Sequence, residues 1–382
     1  MPVEDALMRH SQPGMSCGCI PSLSEGHEAL ALFTEGDDLY EAMLASIAGA
    51  RDRVWLETFI FADDEIGWRF AEAMAAKAGE GVEVRLLIDA AGSTLRFSRR
   101  LEQYLLAQGV ALRWFHRWRW RDPLRYNRRD HRKLLVVDGA EAYLGGFNIH
   151  RENSRSIYGE QRWRDTHVCC RGALAVQAAR LFDAFWRGNR RWALPRTTAT
   201  ATASVLMPNH SRFCRRQLRC AYAAMADEAK STVWLTTPYF VPDHRTQVAL
   251  MSAARCGKDV RVLVPRKGDV RLARWASHAG YAALLQAGVR IFEYLPRVLH
   301  AKTAIVDQAY AILGTANLDY RSFFLNYELN LISREPQLCL QLQQQFEKDL
   351  EQSEEVFAGR WSTRGWSAQF TEALGWMARR WL

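Results

Sequence analysis

Apolar and polar positions along this chain follow two alternating periods. Residues 29–33, 54–61, 83–89 and 110–115 are short runs of aliphatic, aromatic and β-branched side chains, the composition of buried strands. Between them, 37–50, 66–78 and 99–107 carry apolar residues at helical spacing, and Gly79-Glu80-Gly81 and Gly109 supply stops. Strands alternating with helices of about ten residues predict an α/β fold: a mixed, largely parallel sheet flanked by helices.

The second half replays this order. VWLTTPYFV at 233–241 matches VWLETFIF at 54–61, with Trp234 and Trp55 179 positions apart. GKDVRVLV at 257–264 matches GVEVRLLI at 81–88 at an offset of 176, and GVRIF at 288–292 matches the run from Gly109 at 179. Near-constant offsets across several elements point to an internal duplication. Two copies make a pair of pseudo-symmetric lobes rather than a solenoid. The expected division is a poorly ordered leader over 1–28, one lobe over 29–196 and a second over 197–382. The break falls in a small polar linker that begins at Pro195.

The chemistry-bearing stretch is RRDHRKLLVVDGAEAYLGGFN at 128–148. His131 and Lys133 are two apart on extended chain and so share a face. Asp138-Gly139 is a hairpin turn signal, and Gly145-Gly146 permits close approach of backbone to a ligand. In LHAKTAIVDQAYAILGTANLDYRS at 299–322, His300, Lys302, Asp307 and Asn317 repeat His131, Lys133, Asp138 and Asn148. One such match is weak; two with matching Gly-rich turns are strong. Neutral imidazole attacks phosphorus and charged imidazole protonates a leaving oxygen, so two histidines in one site divide the work. Asp165 and Glu328, at comparable positions after the motifs, are candidate carboxylates to fix the ring tautomers. Lys133, Lys302, Asn148 and Asn317 are candidate donors to phosphate oxygens. That set needs no metal and no cofactor. Asp138 and Asp307 stand at odd spacing from their histidines, so a turn role competes with a chemical one.

The 382 residues carry a formal net charge of +9, which favours anionic partners, membrane lipid or nucleic acid. Eight cysteines lie scattered without zinc-site spacing, the pattern of reduced cytosolic thiols. No segment approaches the ~20 apolar residues that span a bilayer, so any membrane contact is expected to be peripheral. The first motif has about ten extra residues before its histidine, within RWFHRWRWRDPLRYNRRDHR at 113–132. Tryptophan and tyrosine among arginines suit a lipid headgroup zone, a single nucleic-acid strand, or an ordinary covering loop. Near the C-terminus Trp366, Phe370, Ala373 or Leu374, Met377 and Trp381 form one helical stripe. Packing on the lobe is the default for such a stripe, and shallow insertion into a bilayer is the alternative.

Taken together, the motifs resemble those of the phospholipase D superfamily with two HKD motifs, and within it the short-form bacterial cardiolipin synthases without N-terminal transmembrane helices. The resemblance rests on LETFIF at 56–61, HRKLLVVD at 131–138, GGFN at 145–148, WRDTHV at 163–168, HAKTAIVD at 300–307 and GTANLDYRSFFLNYE at 314–328. It implies one active site at the interface of two phospholipase D-like lobes, with His131, Lys133, Asp138, His300, Lys302 and Asp307 catalytic. It further implies a phosphohistidine on His131, acid–base work by His300, and crossed carboxylates, Glu328 on His131 and Asp165 on His300. Phosphatidylglycerol is the implied substrate. The implied setting is a monomer on the cytoplasmic face of the bacterial inner membrane, against anionic lipid and without nucleic acid. Hydrolysis, another acceptor alcohol, a metal-independent nuclease and an inactive lipid-binding scaffold stand beside this reading. Two features break the symmetry. Gly146 faces Thr315, which suggests hydroxyl donation to phosphate from one lobe only, and Glu57 faces Thr236, which gives Glu57 no symmetric support.

Overall fold

The computed structural model describes Leu23 and residues 29–378, apart from 119, 122–125, 189–201 and 269. The lobe boundary and the rest of the leader lie outside the described residues, as do Arg119, Arg125 and Trp381. Leu23 itself is buried in the core of the second lobe.

The apolar runs form strands close to where the sequence puts them. In the first lobe β1 (Leu30–Phe33), β2 (Arg53–Thr58), β3 (Glu83–Asp89) and β4 (Ala111–Phe115) alternate with α1 (Gly36–Gly49), α2 (Glu65–Gly79) and α3 (Arg99–Ala107). Then come β5 (Leu134–Val137), β6 (Glu141–Gly145), β7 (His167–Arg171) and α4 (Ala173–Trp186). The second lobe runs β8 (Ser204–Pro208), α5 (Arg212–Glu228), β9 (Thr232–Thr236), α6 (His244–Arg255), β10 (Asp259–Pro265), α7 (Arg271–Gln286) and β11 (Arg290–Tyr294). It closes with β12 (Thr303–Val306), β13 (Tyr310–Gly314), β14 (Leu329–Ser333), α8 (Pro336–Glu351), β15 (Ser353–Val356) and α9 (Trp366–Ala378).

Both sheets share one strand order among the described residues, β1-β7-β6-β5-β2-β3-β4 and β8-β14-β13-β12-β9-β10-β11, the second extended by β15. The expectation of largely parallel sheets needs correction. Among the named strands of the described residues, parallel pairing is confined to β2–β3–β4 and β9–β10–β11, where helices supply the crossovers; the other strand pairs are antiparallel. The cause is local. Asp138-Gly139 and its counterpart turn the chain back within a few residues, and so short a connection joins only antiparallel neighbours.

Helices α1–α3 cover the outer face of the first sheet, and α5–α7 that of the second. Helices α4 and α8 lie between the sheets, in a core to which both lobes contribute Trp55, Leu134, Phe182, Leu299, Leu313 and Phe346. The duplication extends to side-chain packing. Trp55 stacks on Phe182 at 5.3 Å with Arg85 over its face, and Trp234 stacks on Phe346 at 5.1 Å beneath Arg261. Full burial of each large apolar side chain contributes about 1.5–3 kcal/mol, so this shared layer welds the lobes together. Arg164 adds a buried ion pair across the lobes to Asp349 at 2.8 Å.

The C-terminal stripe does not behave as its default predicts. Helix α9 docks on α7 through the side opposite the stripe: a Cβ at Gly375 would collide with the backbone of Trp275 and Ala276. Trp366, Phe370 and Met377 are exposed. Periodicity shows which residues share a face but not which way that face turns, and only a side without bulk fits so close a helix contact.

Asp138 and Asp307 also depart from the catalytic set. Each sits in the left-handed region, at φ 54° and 50°, at the end of β5 or β12 remote from its histidine. Asp138 accepts hydrogen bonds from the backbone N–H groups of Arg51, Asp52 and Arg53 at 2.8–2.9 Å. Asp307 does the same for Lys230, Ser231 and Thr232. Partial burial raises both carboxyl pKa values, but the N–H donors outweigh it and leave them below the usual range. These residues pin the strand entering each sheet. Asp138→Ala should therefore lower the unfolding free energy by about 1–3 kcal/mol, and Asp138→Asn by less, as read by urea denaturation. Because the folded pKa is depressed, this stabilisation holds at neutral pH and fades as pH falls through the carboxylate range.

Candidate active site

Four backbone hydrogen bonds set the site. His131 N–H donates to Tyr327 O at 2.9 Å and Tyr327 N–H to Arg129 O at 2.8 Å. In the mirrored arrangement, His300 N–H donates to Arg164 O at 2.7 Å and Arg164 N–H to Val298 O at 2.8 Å. Tyr327 precedes Glu328 and Arg164 precedes Asp165. Each clip thus delivers one lobe's carboxylate to the other lobe's imidazole.

The rings are held accordingly. Nδ1 of His131 lies 2.9 Å from Glu328 Oε2 and 3.1 Å from Thr315 O. Nδ1 of His300 lies 2.5 Å from Asp165 Oδ2, with Lys302 Nζ at 2.7 Å from the same nitrogen. Phe59 meets His131 edge-on at 5.1 Å, and Trp163 flanks His300 at 5.3 Å. Lys133 Nζ donates to His131 O at 2.7 Å, and Lys302 Nζ to His300 O.

Burial dominates the electrostatics. It pushes the His131 pKa down; Glu328 opposes this and Lys133 reinforces it, and the net shift is downward. Burial, then the charge of Lys302, lowers Lys133 to about 7. Burial alone would raise both carboxyls. Lys302 and His300 hold Asp165 below its usual range nonetheless, as His131 and Thr315 do Glu328. The resulting arrangement is two ionised carboxylates behind two imidazoles, with the amines of Lys133 and Lys302 alongside.

His131 and His300 open onto one cavity of about 500 Å³. Asn148 and Asn317 line it with them, as do Phe59, Ile60, Trp163, Tyr239, Val241, Val270 and Ala273. Asn148 Oδ1 accepts from Ile60 N–H at 3.0 Å, which fixes the amide. Thr315 is placed differently from expectation. Its hydroxyl donates to Glu328 Oε2 at 2.6 Å and accepts from Leu329 N–H at 2.9 Å, so it supports the carboxylate rather than a phosphate. Gly146 stands opposite for a steric reason, since a Cβ there would fall on the Asp165 carboxylate. The glycine pair admits this carboxylate and the backbone of 166–167, not a ligand.

Sequence reasoning missed a buried charge network beneath the first motif. Arg132 Nε bonds Glu57 Oε1 at 2.8 Å, and the guanidinium lies 3.7 Å over the Phe185 ring. Asp130 sits beside this pair, and burial together with the Glu57 charge raises its pKa well above the carboxylate range. Asp89 receives Asp130 N–H at 2.8 Å and faces Arg129 at 3.5 Å. The only signal in the sequence was Glu57 itself, an acid in a strand of aromatic and β-branched residues. Asn127, Asp319, Arg321 and Asn326 also line the cavity and were not singled out, and Arg129, one of the arginines of the 113–132 stretch, lines it too.

Against known proteins, residues 43–186 and 222–350 match the family described as "Cardiolipin synthase, PLD-like domain". The chain is 35% identical over 344 residues to cardiolipin synthase 2 of Bacillus anthracis, covering 87% of this chain and 66% of that protein. It is 32% identical over 358 residues to cardiolipin synthase 1 of Staphylococcus epidermidis, covering 90% and 72%. The chain thus spans about two thirds of the length of these relatives. A phosphatidylserine synthase from Haemophilus influenzae shares the fold at a TM-score of 0.69 and 13% identity, covering 94% of each chain. With both motifs meeting at one cavity and the match running through both lobes, the chain belongs to the cardiolipin synthase, phospholipase D-like domain family.

Proposed function

We propose that this chain is a phosphatidyltransferase that makes cardiolipin from two molecules of phosphatidylglycerol. One observation carries the reading: each imidazole facing the shared cavity is backed, through Nδ1, by a carboxylate from the opposite lobe. Anchoring at Nδ1 leaves Nε2 of His131 as the atom that meets phosphorus.

His131, whose depressed pKa keeps it neutral, attacks the phosphate of the first lipid. A N–P bond forms, the P–O bond to the headgroup glycerol breaks, and His300 supplies the proton that the glycerol carries away. His300 then takes the proton from a hydroxyl of a second phosphatidylglycerol, whose oxygen attacks the phosphohistidine and frees His131. Lys133, Lys302, Asn148 and Asn317 stabilise the charge on the phosphate oxygens. Phe59 and Trp163 against the two histidines, with Ile60, Val241 and Ala273 in the same wall, support a lipid hydroxyl over water as the acceptor.

Both histidines come from one chain, which supports our reading of a monomer as the working unit. Among the described residues no helix is long and apolar enough to cross a membrane. Our reading is a peripheral position on the cytoplasmic face of the bacterial inner membrane, against anionic lipid and without a nucleic-acid partner. Trp118 and Trp120, both exposed beside Arg117 and Arg121, suit that surface.

Purified protein with labelled phosphatidylglycerol vesicles should yield cardiolipin and glycerol. Phosphatidic acid as sole product would replace transfer by hydrolysis. His131→Ala and His300→Ala should each lower turnover by at least about 10³-fold, because one site needs both groups. Acid-quenched His300→Ala should retain labelled phosphohistidine and His131→Ala should not; the opposite pattern would exchange their roles. The pH profile of kcat/KM should be a bell. Its acid limb falls below the ordinary histidine value of 6.5, where His131 gains a proton. Its basic limb begins near 7, where Lys133 loses its charge. Activity that stays level to pH 9 would remove Lys133 from the phosphate.

A further inference from the structure

Helix α9 leaves bare the side an isolated helix would hide. Trp366, Phe370 and Met377 are 81%, 58% and 67% exposed, and Trp376 beside them is 42% exposed. The three lie within about 40° of one another around the helix axis. The helix is not loosely placed. Gly375 sits hard against Trp275 and Ala276 in α7, and Arg364 pairs with Glu372 at 2.5 Å.

Its position relative to the cavity is informative. Ala273, one turn from that docking point along α7, lines the active-site cavity together with Val270, itself 39% exposed. Trp376 lines a second cavity with Val241, which also lines the first. The helix that bears the stripe is therefore seated on α7, whose N-terminal end forms part of the active-site cavity wall. Charge selects the occupant. The helix carries one acidic residue, Glu372, which is turned toward Arg364, while Arg379 and Arg380 follow in the sequence and the chain has a net charge of +9. A surface of bulky apolar groups without negative charge, on a basic protein, fits an anionic bilayer.

We propose that α9 is the membrane-seating element of this protein, its Trp366–Phe370–Met377 stripe lying among lipid headgroups so that the cavity mouth meets the bilayer. The inference rests on the reading of a lipid substrate. The test compares the full chain with a Trp366→Ser, Phe370→Ser, Met377→Ser variant by cosedimentation with vesicles of phosphatidylcholine, with and without phosphatidylglycerol. Partition onto phosphatidylglycerol vesicles should fall at least about tenfold in the variant, and vesicle turnover should fall in step. Turnover of a monomeric short-chain phosphatidylglycerol should be retained, which also shows that the variant is folded. Equal partition of the two proteins would overturn the proposal. So would sedimentation showing that the parent is a dimer which the variant splits, since a second copy would then cover the stripe. Because partition is read without turnover, a protein that binds vesicles but makes no cardiolipin would refute the proposed reaction and leave this inference standing.

Discussion

The structure depends on one exchange: each lobe gives its carboxylate to the imidazole of the other. An ionised Asp or Glu held under a buried ring is costly to desolvate and is tolerated only where a partner charge and hydrogen bonds repay it. Here the compensation comes chiefly from across the interface, as His131 for Glu328 and as His300 and Lys302 for Asp165, with Thr315 of its own lobe also bonding Glu328. The backbone clips at Tyr327 and Arg164 fix the distance, and the core between the sheets keeps the clips in register. Separating the lobes would strand four buried charged or titratable groups at once.

The two half-sites are alike but not equal. His131 is backed by a carboxylate, a carbonyl and a threonine hydroxyl on that carboxylate. His300 is backed by a carboxylate and a lysine. Beneath the first motif lies the Glu57–Arg132 pair with Asp130 alongside, whereas Thr236 occupies the place of Glu57 in the second lobe. Removing one member of such a buried pair typically costs about 3–5 kcal/mol. The extra rigidity therefore sits under the histidine assigned to make the covalent bond.

Much of this was legible in the sequence because the duplication prints every element twice. The constant offset of Trp55 and Trp234 located matching strands, and the repeated His-x-Lys located the site. What was hidden depends on direction rather than period. Strand polarity follows from the tight turn at Asp138-Gly139, which was visible but outweighed by the alternation of helices and strands. The hydroxyl of Thr315 turns to Glu328 because Leu329 N–H holds it there, a contact between segments that sequence order alone does not join. The Glu57–Arg132 pair brings together residues 75 apart. In α9 the signal lay in Gly375, the residue opposite the apolar stripe, rather than in the stripe itself.

The clips at Tyr327 and Arg164 also bear on ancestry. A single ancestral half, with an imidazole at one end of its sheet and an acid for someone else's, gains a complete relay only when paired with its like. Once two copies are fused and have drifted apart, as Thr315 and Gly146 have, neither half regains independence by shedding the other. The fused gene is then a ratchet, in which a change to the acid of one repeat is judged by the ring of its neighbour.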